Sequence, residues 1–326
     1  MTTSGSSNCP VCHAAEVRVC WRGLGDRLFR TTEKRFDVAR CAACGSRFLA
    51  NIPPLGELAA YYPSDYWIGP SDQTSHKQAQ GGLLEAYRRF VLRDHVRFVG
   101  GALAAQRARG QSIRMVDVGC GDGSLLEAVG EKSSMGMDLS LAALRATRAR
   151  GFAAVRGTLS ECPLTEGSFS MVTAFHFLEH VHPIEPILAS MRKLLAPGGE
   201  IIVQVPNARS WQAKLLGRRW AGYDVPRHLI NYTDRTLPEV LSRNGFEVLA
   251  LNQQCVRDNP TALSNSLVPG LYPPARLCRG GKPTGLGAAA ANLGYLGVTI
   301  ASMPFAWLEA ACGRGASVMV HARPMR

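Results

Sequence analysis

Dense cysteine is missing from this chain: ten in 326 residues, far below the level of a disulfide scaffold. A long lysine or arginine run is missing too, although Lys+Arg is 37 against Asp+Glu 25, a formal charge of +12. The excess is even. Residues 1–110 carry fifteen basic and nine acidic side chains, and residues 111–326 carry twenty-two and sixteen. That distribution argues against a basic nucleic-acid arm and is compatible with an anionic substrate, a phosphate-rich surface or simple solubility. The start, MTTSGSSNCP, has no basic n-region and no apolar h-region, so a secretory signal is not expected and a cytoplasmic location is. No internal repeat is visible. With 46% hydrophobic and 19% charged residues, disorder, collagen and coiled coil are excluded as the main architecture. The length allows two domains, or one large domain with an appendage.

What cysteine there is falls into a pattern. Cys9-Pro-Val-Cys12 and Cys41-Ala-Ala-Cys44 are two CxxC turns, 28 residues apart. Such a turn brings two thiolates to one metal, and two turns make a closed tetrahedral site, the usual geometry of structural zinc. In a reducing compartment, paired cysteines serve metals more often than disulfides. Residues 1–50 therefore read as a zinc ribbon with Cys9, Cys12, Cys41 and Cys44 as ligands; His13 and Cys20 are the alternatives.

Residues 51–110 read as a connector. Asn51-Ile-Pro53-Pro54 breaks the chain, and Tyr61, Tyr62, Tyr66 and Trp67 cluster around Pro63, as packing or as a wall of a substrate pocket. Residues 69–82 look like a loop. Residues 83–108 carry Leu84, Tyr87, Val91, His95, Phe98 and Leu103 near helical spacing, which predicts an amphipathic helix. From 113 to 255, short apolar runs alternate with helical stretches. This rhythm predicts an α/β fold with a doubly wound, mostly parallel sheet.

The first run ends in Val116-Asp117-Val118-Gly119-Cys120-Gly121-Asp122-Gly123-Ser124, a strand turning through glycines into a helix. The spacing is GxGxG, not the GxGxxG of dinucleotide enzymes. Glycines let a ligand approach the backbone, and the helix start offers unpaired N–H groups. Fifteen residues after Gly123 the second strand ends in Asp138, placed to accept hydrogen bonds from ribose hydroxyls.

VDVGCGDGSLLEAV followed by GMDLS resembles motifs I and II of class I S-adenosylmethionine-dependent methyltransferases. ECPLTEGSFSMVTAFHFLEHV, LLAPGGEIIVQVPN and RRWAGYDVPRHLINYTDRTLPEVLSRNGFEV resemble that family's later segments. The CPxC…CxxCG pairs and YYPSDYW are similar to those of a bacterial subgroup with an N-terminal zinc-binding domain. The resemblance implies a Rossmann-like sheet with an antiparallel last strand, and S-adenosylmethionine as cofactor. It places Asp117, Gly119, Gly121 and Gly123 around the methionine part, Asp138 at the ribose, and Leu159 and Ser160 by the adenine. Phe175 and His176 would line the boundary between cofactor and acceptor. Two positions depart from the pattern: Ser170 stands where the family often has Asp, and no acidic residue occupies the adenine-side position around Thr158-Leu159-Ser160.

Methyl transfer is an in-line displacement that expels a neutral thioether, so alignment and dryness matter more than an oxyanion hole. A hydroxyl or carbon nucleophile also needs a base. His228 is the first candidate, followed by His180 and His176; each has a structural reading beside it. His182, before Pro183, reads as a surface turn residue.

Pro283 to Leu308 is 26 residues without a charge, long enough to span a bilayer, but rich in Ala and Gly. If Phe246–Leu251 and Ser317–Ala322 are the last two strands, residues 111–326 form the catalytic domain and about 256–315 are an insertion. Both ends of the insertion then return to the sheet, which predicts a buried helical hairpin or lid. Peripheral membrane contact through 283–308 is the other reading. The expected function is methyl transfer to an O or C nucleophile of a small acceptor, such as a sugar, nucleotide-linked sugar or secondary metabolite. An anionic or lipid-linked acceptor fits the charge and the tail. Alternatives are an RNA methyltransferase that uses the ribbon to bind nucleic acid, and a non-enzymatic cofactor-binding module.

Overall fold

A computed structural model describes residues 8–62, 83–281 and 284–325. Tyr66, Trp67 and the stretch 69–82 lie outside the described residues. The chain begins with β1 (Val17–Leu24), β2 (Phe36–Cys41) and β3 (Arg47–Leu49), then α1 (Leu55–Leu58) and the long α2 (Leu83–Ala108). Next come β4 (Met115–Val118), α3 (Ser124–Val129), β5 (Ser134–Asp138), α4 (Leu141–Ala149), β6 (Ala153–Arg156) and β7 (Phe169–Phe175). They are followed by α5 (Glu185–Leu194), β8 (Leu195–Pro206), α6 (Trp211–Leu216), β9 (Ile230–Asn231), α7 (Thr236–Arg243) and β10 (Phe246–Asn252). The last elements are α8 (Asp258–Leu267), α9 (Pro273–Cys278), α10 (Leu286–Ala311) and β11 (Ser317–Pro324).

The larger sheet has seven strands in the order β10-β11-β8-β7-β4-β5-β6. Neighbours from β8 to β6 are parallel, and β11 runs antiparallel to both β8 and β10. The mostly parallel sheet is as the residue pattern predicts, and its antiparallel last strand is as the family resemblance implies. Both faces of these strands are covered, so all of β4 and nearly all of β7 are buried, and their residues are mostly apolar, with Asp117, Ser170 and Thr173 the exceptions. The covering helices follow from local signals. Ser140 caps α4 by accepting the Ala143 N–H, and α5 opens with Glu185 and Pro186 and buries Leu188, Met191 and Leu194 along one face. The long helix α2 packs Val99 and Leu103 against Met115 and Ile202 of the sheet.

The smaller sheet is antiparallel, in the order β1-β2-β3-β9. Its fourth strand comes from residues 230–231, where β9 pairs with Arg47 and Phe48 of β3. One core runs through both sheets, joining Phe36, Val38 and Phe48 to Val172, Ile201 and Leu237. A buried ionic knot adds to this. The Arg227 guanidinium donates to both carboxylate oxygens of Asp26 at 2.7 and 2.9 Å, to those of Asp224 at 2.7 and 2.9 Å, and to the Tyr61 carbonyl at 3.1 Å.

Burial alone would raise Asp26, but Arg227 and the Thr31 hydrogen bonds outweigh it and hold Asp26 down at about 2, against an ordinary 3.8. A carboxyl whose pKa is lower in the folded state stabilises the fold above its unfolded value. That stabilisation is lost as pH falls from about 4 to about 2 and is on the order of 2 kcal/mol. Chemical denaturation at pH 5 and pH 2.5 should therefore show a smaller acid-induced loss in an Asp26→Asn variant than in the wild type. Equal losses would mean the knot does not hold Asp26 ionised.

The insertion differs from expectation. It is three helices, not a buried hairpin, and α10 is one continuous 26-residue helix, long and apolar enough to cross a membrane by length and composition. Its buried stripe is Thr299, Ser302, Ala306 and Glu309, on the side toward α8, while Leu286 and Leu293 are 92% and 68% exposed. Along the stripe Thr299 and Ser302 donate to carbonyls of their own helix and Glu309 accepts from Gln212, while Tyr295 nearby donates to Asn265 of α8 at 2.8 Å. The large apolar side chains are left to the outside.

Candidate active site

The crevice lies where the sheet changes direction. From β4 the chain proceeds outward to β5 and β6, then returns to β7 on the other side of β4, so the loops after β4 and β7 diverge above the C-terminal strand ends. In open α/β sheets this is where ligands bind.

The loop after β4 holds Gly119, Gly121 and Gly123, all with positive φ (71°, 54° and 76°). At Gly123, which starts α3, a Cβ would stand 2.9 Å from the Thr147 hydroxyl, so a side chain is excluded by space as well as by conformation. No atom lies within 4 Å of a Cβ built on Gly121, so the middle of the turn is open. Asp138, at the tip of β5, ties this loop to the next: one carboxylate oxygen accepts the Gly121 N–H at 3.0 Å and the other the Ser140 N–H at 2.8 Å. Each oxygen keeps a lone pair for a further donor. Asp117 is buried in β4 and accepts the Thr173 hydroxyl at 2.7 Å; burial lifts it to about 7. Leu159 is buried in the core beyond β6, while Ser160 beside it is exposed.

The β7 side carries the titratable groups. Phe175 ends the strand with its ring 5.2 Å from the His95 ring. His176 follows with φ of 52°, an uncommon conformation outside glycine. Its Nδ1 lies 3.3 Å from Glu179 Oε1 and its Nε2 lies 3.3 Å from Asp258 Oδ2. Burial would lower His176, but the two carboxylates outweigh it and lift it to about 10, so it is an imidazolium at neutral pH. Asp258, at the start of α8, is the hub of a buried network: it accepts Gln204 Nε2 at 2.7 Å and the Cys255 thiol at 2.9 Å, with His95 Nε2 at 3.4 Å.

Glu179 is fully buried in the turn after β7. Burial would raise it, but the hydrogen bond from His176 and the His180 and His228 rings hold it below the ordinary carboxylate range. His180 Nδ1 lies 3.0 Å from the Arg227 carbonyl and 2.8 Å from the Tyr62 hydroxyl. His228 Nδ1 lies 2.8 Å from the Gly222 carbonyl. A carbonyl can only accept, so both histidines carry their proton on Nδ1 and turn an Nε2 lone pair elsewhere. The two rings meet edge to face at 4.7 Å, and His228 Nε2 stands 4.0 Å from Glu179 Oε1. Burial, reinforced by His228, lowers His180 to about 4. Ligand atoms of Glu179, His180 and His228 all lie within 4.8 Å of one another, close enough to share one cation.

The four N-terminal cysteines also converge. Cys9 and Cys44 sulfurs are 3.7 Å apart, and Cys12 and Cys41 sulfurs 3.5 Å. A tetrahedron with metal–sulfur bonds of ~2.3 Å has edges of about 3.8 Å, so the set fits one zinc ion. The Val11 and Cys44 N–H groups donate to the Cys9 and Cys41 sulfurs. His13 pairs instead with Glu185 at 3.3 Å, and Cys20 donates to the Val38 carbonyl. Neither alternative joins the cluster.

The structure thus groups His176, Glu179, His180 and His228 after β7, and Asp117, the glycine turn and Asp138 at the ends of β4 and β5. It adds His95 and Asp258, which sequence reasoning did not propose for the site, and sets Tyr62, one of the connector aromatics read as packing or a pocket wall, beside His180. Asp258 had no signal, because it lies at the mouth of an insertion.

This is a Rossmann-like domain with a glycine turn after β4, a carboxylate at the tip of β5 and a histidine–glutamate wall after β7. Residues 84–251 match the family model for a methyltransferase domain. The match covers half of the chain, and the chain belongs to that family. It is 28% identical over 156 residues to a ubiquinone biosynthesis O-methyltransferase of Idiomarina loihiensis, covering 41% of this chain and 64% of the relative. It is 31% identical over 146 residues to the enzyme of the same name from Thiobacillus denitrificans, covering 41% and 62%. The chain therefore spans less than two thirds of the length of these relatives. A SAM-dependent methyltransferase structure from Thermotoga maritima aligns with a TM-score of 0.42 at 17% identity, covering 74% of this chain and 95% of that one.

Proposed function

We propose that this chain transfers a methyl group from S-adenosylmethionine to an oxygen or carbon nucleophile of a small acceptor, with His228 as the general base. One observation carries the base assignment: the Gly222 carbonyl fixes the proton on Nδ1, leaving Nε2 as an acceptor next to the Glu179 carboxylate. The carboxylate stabilises the imidazolium formed when His228 takes the acceptor's proton. His180 keeps its neutral form beside it, and His176 stays protonated and holds Glu179 ionised. The relatives' names favour oxygen over carbon as the nucleophile.

When bound, S-adenosylmethionine supplies an electrophilic methyl group on a positively charged sulfur. Asp138 would hold its ribose hydroxyls, Asp117 and the turn at Gly119, Gly121 and Gly123 its methionine part, and Leu159 and Ser160 its adenine. Phe175, and Phe177, whose ring stands 3.3 Å from where a Gly119 Cβ would be, would exclude water from the reacting end. The exposed apolar face of α10 supports an acceptor with a lipid-linked portion, or peripheral contact with a membrane.

Incubating the protein with methyl-labelled cofactor and a metabolite extract tests this reading. Label is expected in a small-molecule product and is expected to disappear in an Asp138→Ala variant that also binds the cofactor more weakly by calorimetry. Label found only in RNA, or cofactor binding with no labelled product, would overturn it in favour of a nucleic-acid substrate or a non-catalytic module.

Cys9, Cys12, Cys41 and Cys44 would hold one structural zinc ion, with no open coordination position. Metal analysis should return about one zinc per chain, lost together with thermal stability in a Cys41→Ser/Cys44→Ser variant. A stable, metal-free wild type would remove the assignment.

A second reading of the histidine wall follows from one observation: Glu179 Oε2 is buried without a hydrogen-bond partner, in a residue that clusters with His180 and His228. The three groups would then hold a divalent cation that orients the acceptor's oxygen. Under this reading Mg²⁺ or Mn²⁺ raises turnover at constant zinc content, whereas a pure base mechanism shows no response.

A further inference from the structure

A second cavity lies apart from the crevice, between the N-terminal unit and the 218–225 loop. Its volume is about 220 Å³. Five arginines line it: Arg22, Arg27, Arg35, Arg218 and Arg219. Asp224 is the one acidic residue in its wall, and both Asp224 oxygens are already taken by Arg227. Arg22 leans on Asp37 at 3.3 Å. Arg27 is anchored by donating to the Arg219 carbonyl and to the Ser266 carbonyl at 3.4 Å. The Arg35 guanidinium packs against Gly25, where a Cβ would meet it at 2.5 Å. Among the described residues, Arg35, Arg218 and Arg219 have no acidic partner.

Arginines scattered over a convex surface need no explanation beyond solubility. Here they surround a cavity also lined by buried Trp220 and Tyr223. Gathering like charges around low-dielectric walls costs free energy that a bound anion offsets. Guanidinium forks match phosphate oxygens two at a time. The cavity is below the ~300–1,000 Å³ of a drug-sized pocket, which suits a phosphate or diphosphate group but not a whole ligand.

Its location connects it to the chemistry. The wall formed by Trp220, Tyr223, Asp224 and Val225 belongs to the same loop whose Gly222 carbonyl orients His228. On the other side, Asn265 of α8 lines the cavity, and α8 begins at Asp258, the partner of His176. We infer that this arginine cavity binds the phosphate or diphosphate group of the acceptor, anchoring a phosphorylated substrate beside the loop that carries the base. The inference rests on the methyl-transfer reading for what the anchored molecule is, and on the cavity alone for the anion.

Calorimetry with inorganic pyrophosphate, UDP and farnesyl diphosphate tests it on the full chain, with S-adenosylmethionine titrated in parallel. Pyrophosphate and at least one of the two diphosphate esters are expected to bind, more weakly as salt rises. An Arg35→Ala/Arg219→Ala variant should lose about tenfold or more in that affinity while its cofactor affinity stays unchanged. Tighter binding of UDP identifies a nucleotide-linked acceptor, and tighter binding of farnesyl diphosphate a lipid-linked one; either supports the cavity. No binding of any probe, or binding unchanged in the variant, overturns it. Cofactor binding without diphosphate binding refutes the cavity but leaves the methyltransferase reading standing. Diphosphate binding without cofactor binding does the reverse.

Discussion

Replacing His228 by alanine is expected to lower kcat for methyl transfer by about 10²–10⁴-fold, the usual weight of a positioned general base. Cofactor affinity should stay near wild type, because His228 belongs to the histidine–glutamate wall and not to the glycine turn or Asp138. The expected size depends on two features. Nδ1 is tied to the Gly222 carbonyl at 2.8 Å, which fixes the tautomer, and Glu179 stands 4.0 Å from Nε2, which favours the protonated ring once it forms. His228→Asn preserves some of the packing without the basic nitrogen, so it should lose the same rate with a smaller loss of stability. Wild-type turnover in either variant would exclude His228 as the base. A Glu179→Gln variant is expected to follow His228 in rate, since the imidazolium would then lack its counter-charge.

Arg227→Ala is expected to destabilise the fold by ~3–5 kcal/mol, because it leaves Asp26 and Asp224 buried without their cation. Against a typical total of ~5–15 kcal/mol, that is a large share. The guanidinium is fully buried and also lies over the Phe29 ring at 4.5 Å, so packing is lost with the charge. Chemical denaturation measures the effect. An Arg227→Met/Asp26→Leu pair, which removes both sides of the main contact, should be less destabilised than the single variant. A midpoint unchanged in Arg227→Ala would show that the knot contributes nothing. The knot matters beyond stability, because Arg227 precedes His228 and its carbonyl lies 3.0 Å from His180 Nδ1. Loosening it should therefore also blunt catalysis.

The parallel sheet was legible because strands buried on both faces read as mostly apolar runs, and Met115–Val118 and Phe169–Phe175 do, broken only by Asp117, Ser170 and Thr173. The glycine turn and Asp138 were legible because backbone geometry and ribose chemistry constrain residue type at those points. The four cysteines were legible because metal ligation demands spacing. The α10 helix was misjudged for a related reason. A charge-free run says that a segment is apolar, but not which face is covered, and here the buried stripe is Thr299, Ser302, Ala306 and Glu309. Arg227 and Asp26 lie 201 residues apart, and no local pattern announces their pairing.

Local chemistry in the sequence was thus enough to determine the α/β architecture, the cysteine cluster and the glycine–aspartate wall, since each depends on residue type at short range. The tertiary structure alone decided that β9 sews the N-terminal sheet to the larger domain, that Asp258 keeps His176 charged, and that five arginines from distant segments face one cavity. Those outcomes depend on which surfaces meet when the chain closes, and burial then sets how strongly each charge acts.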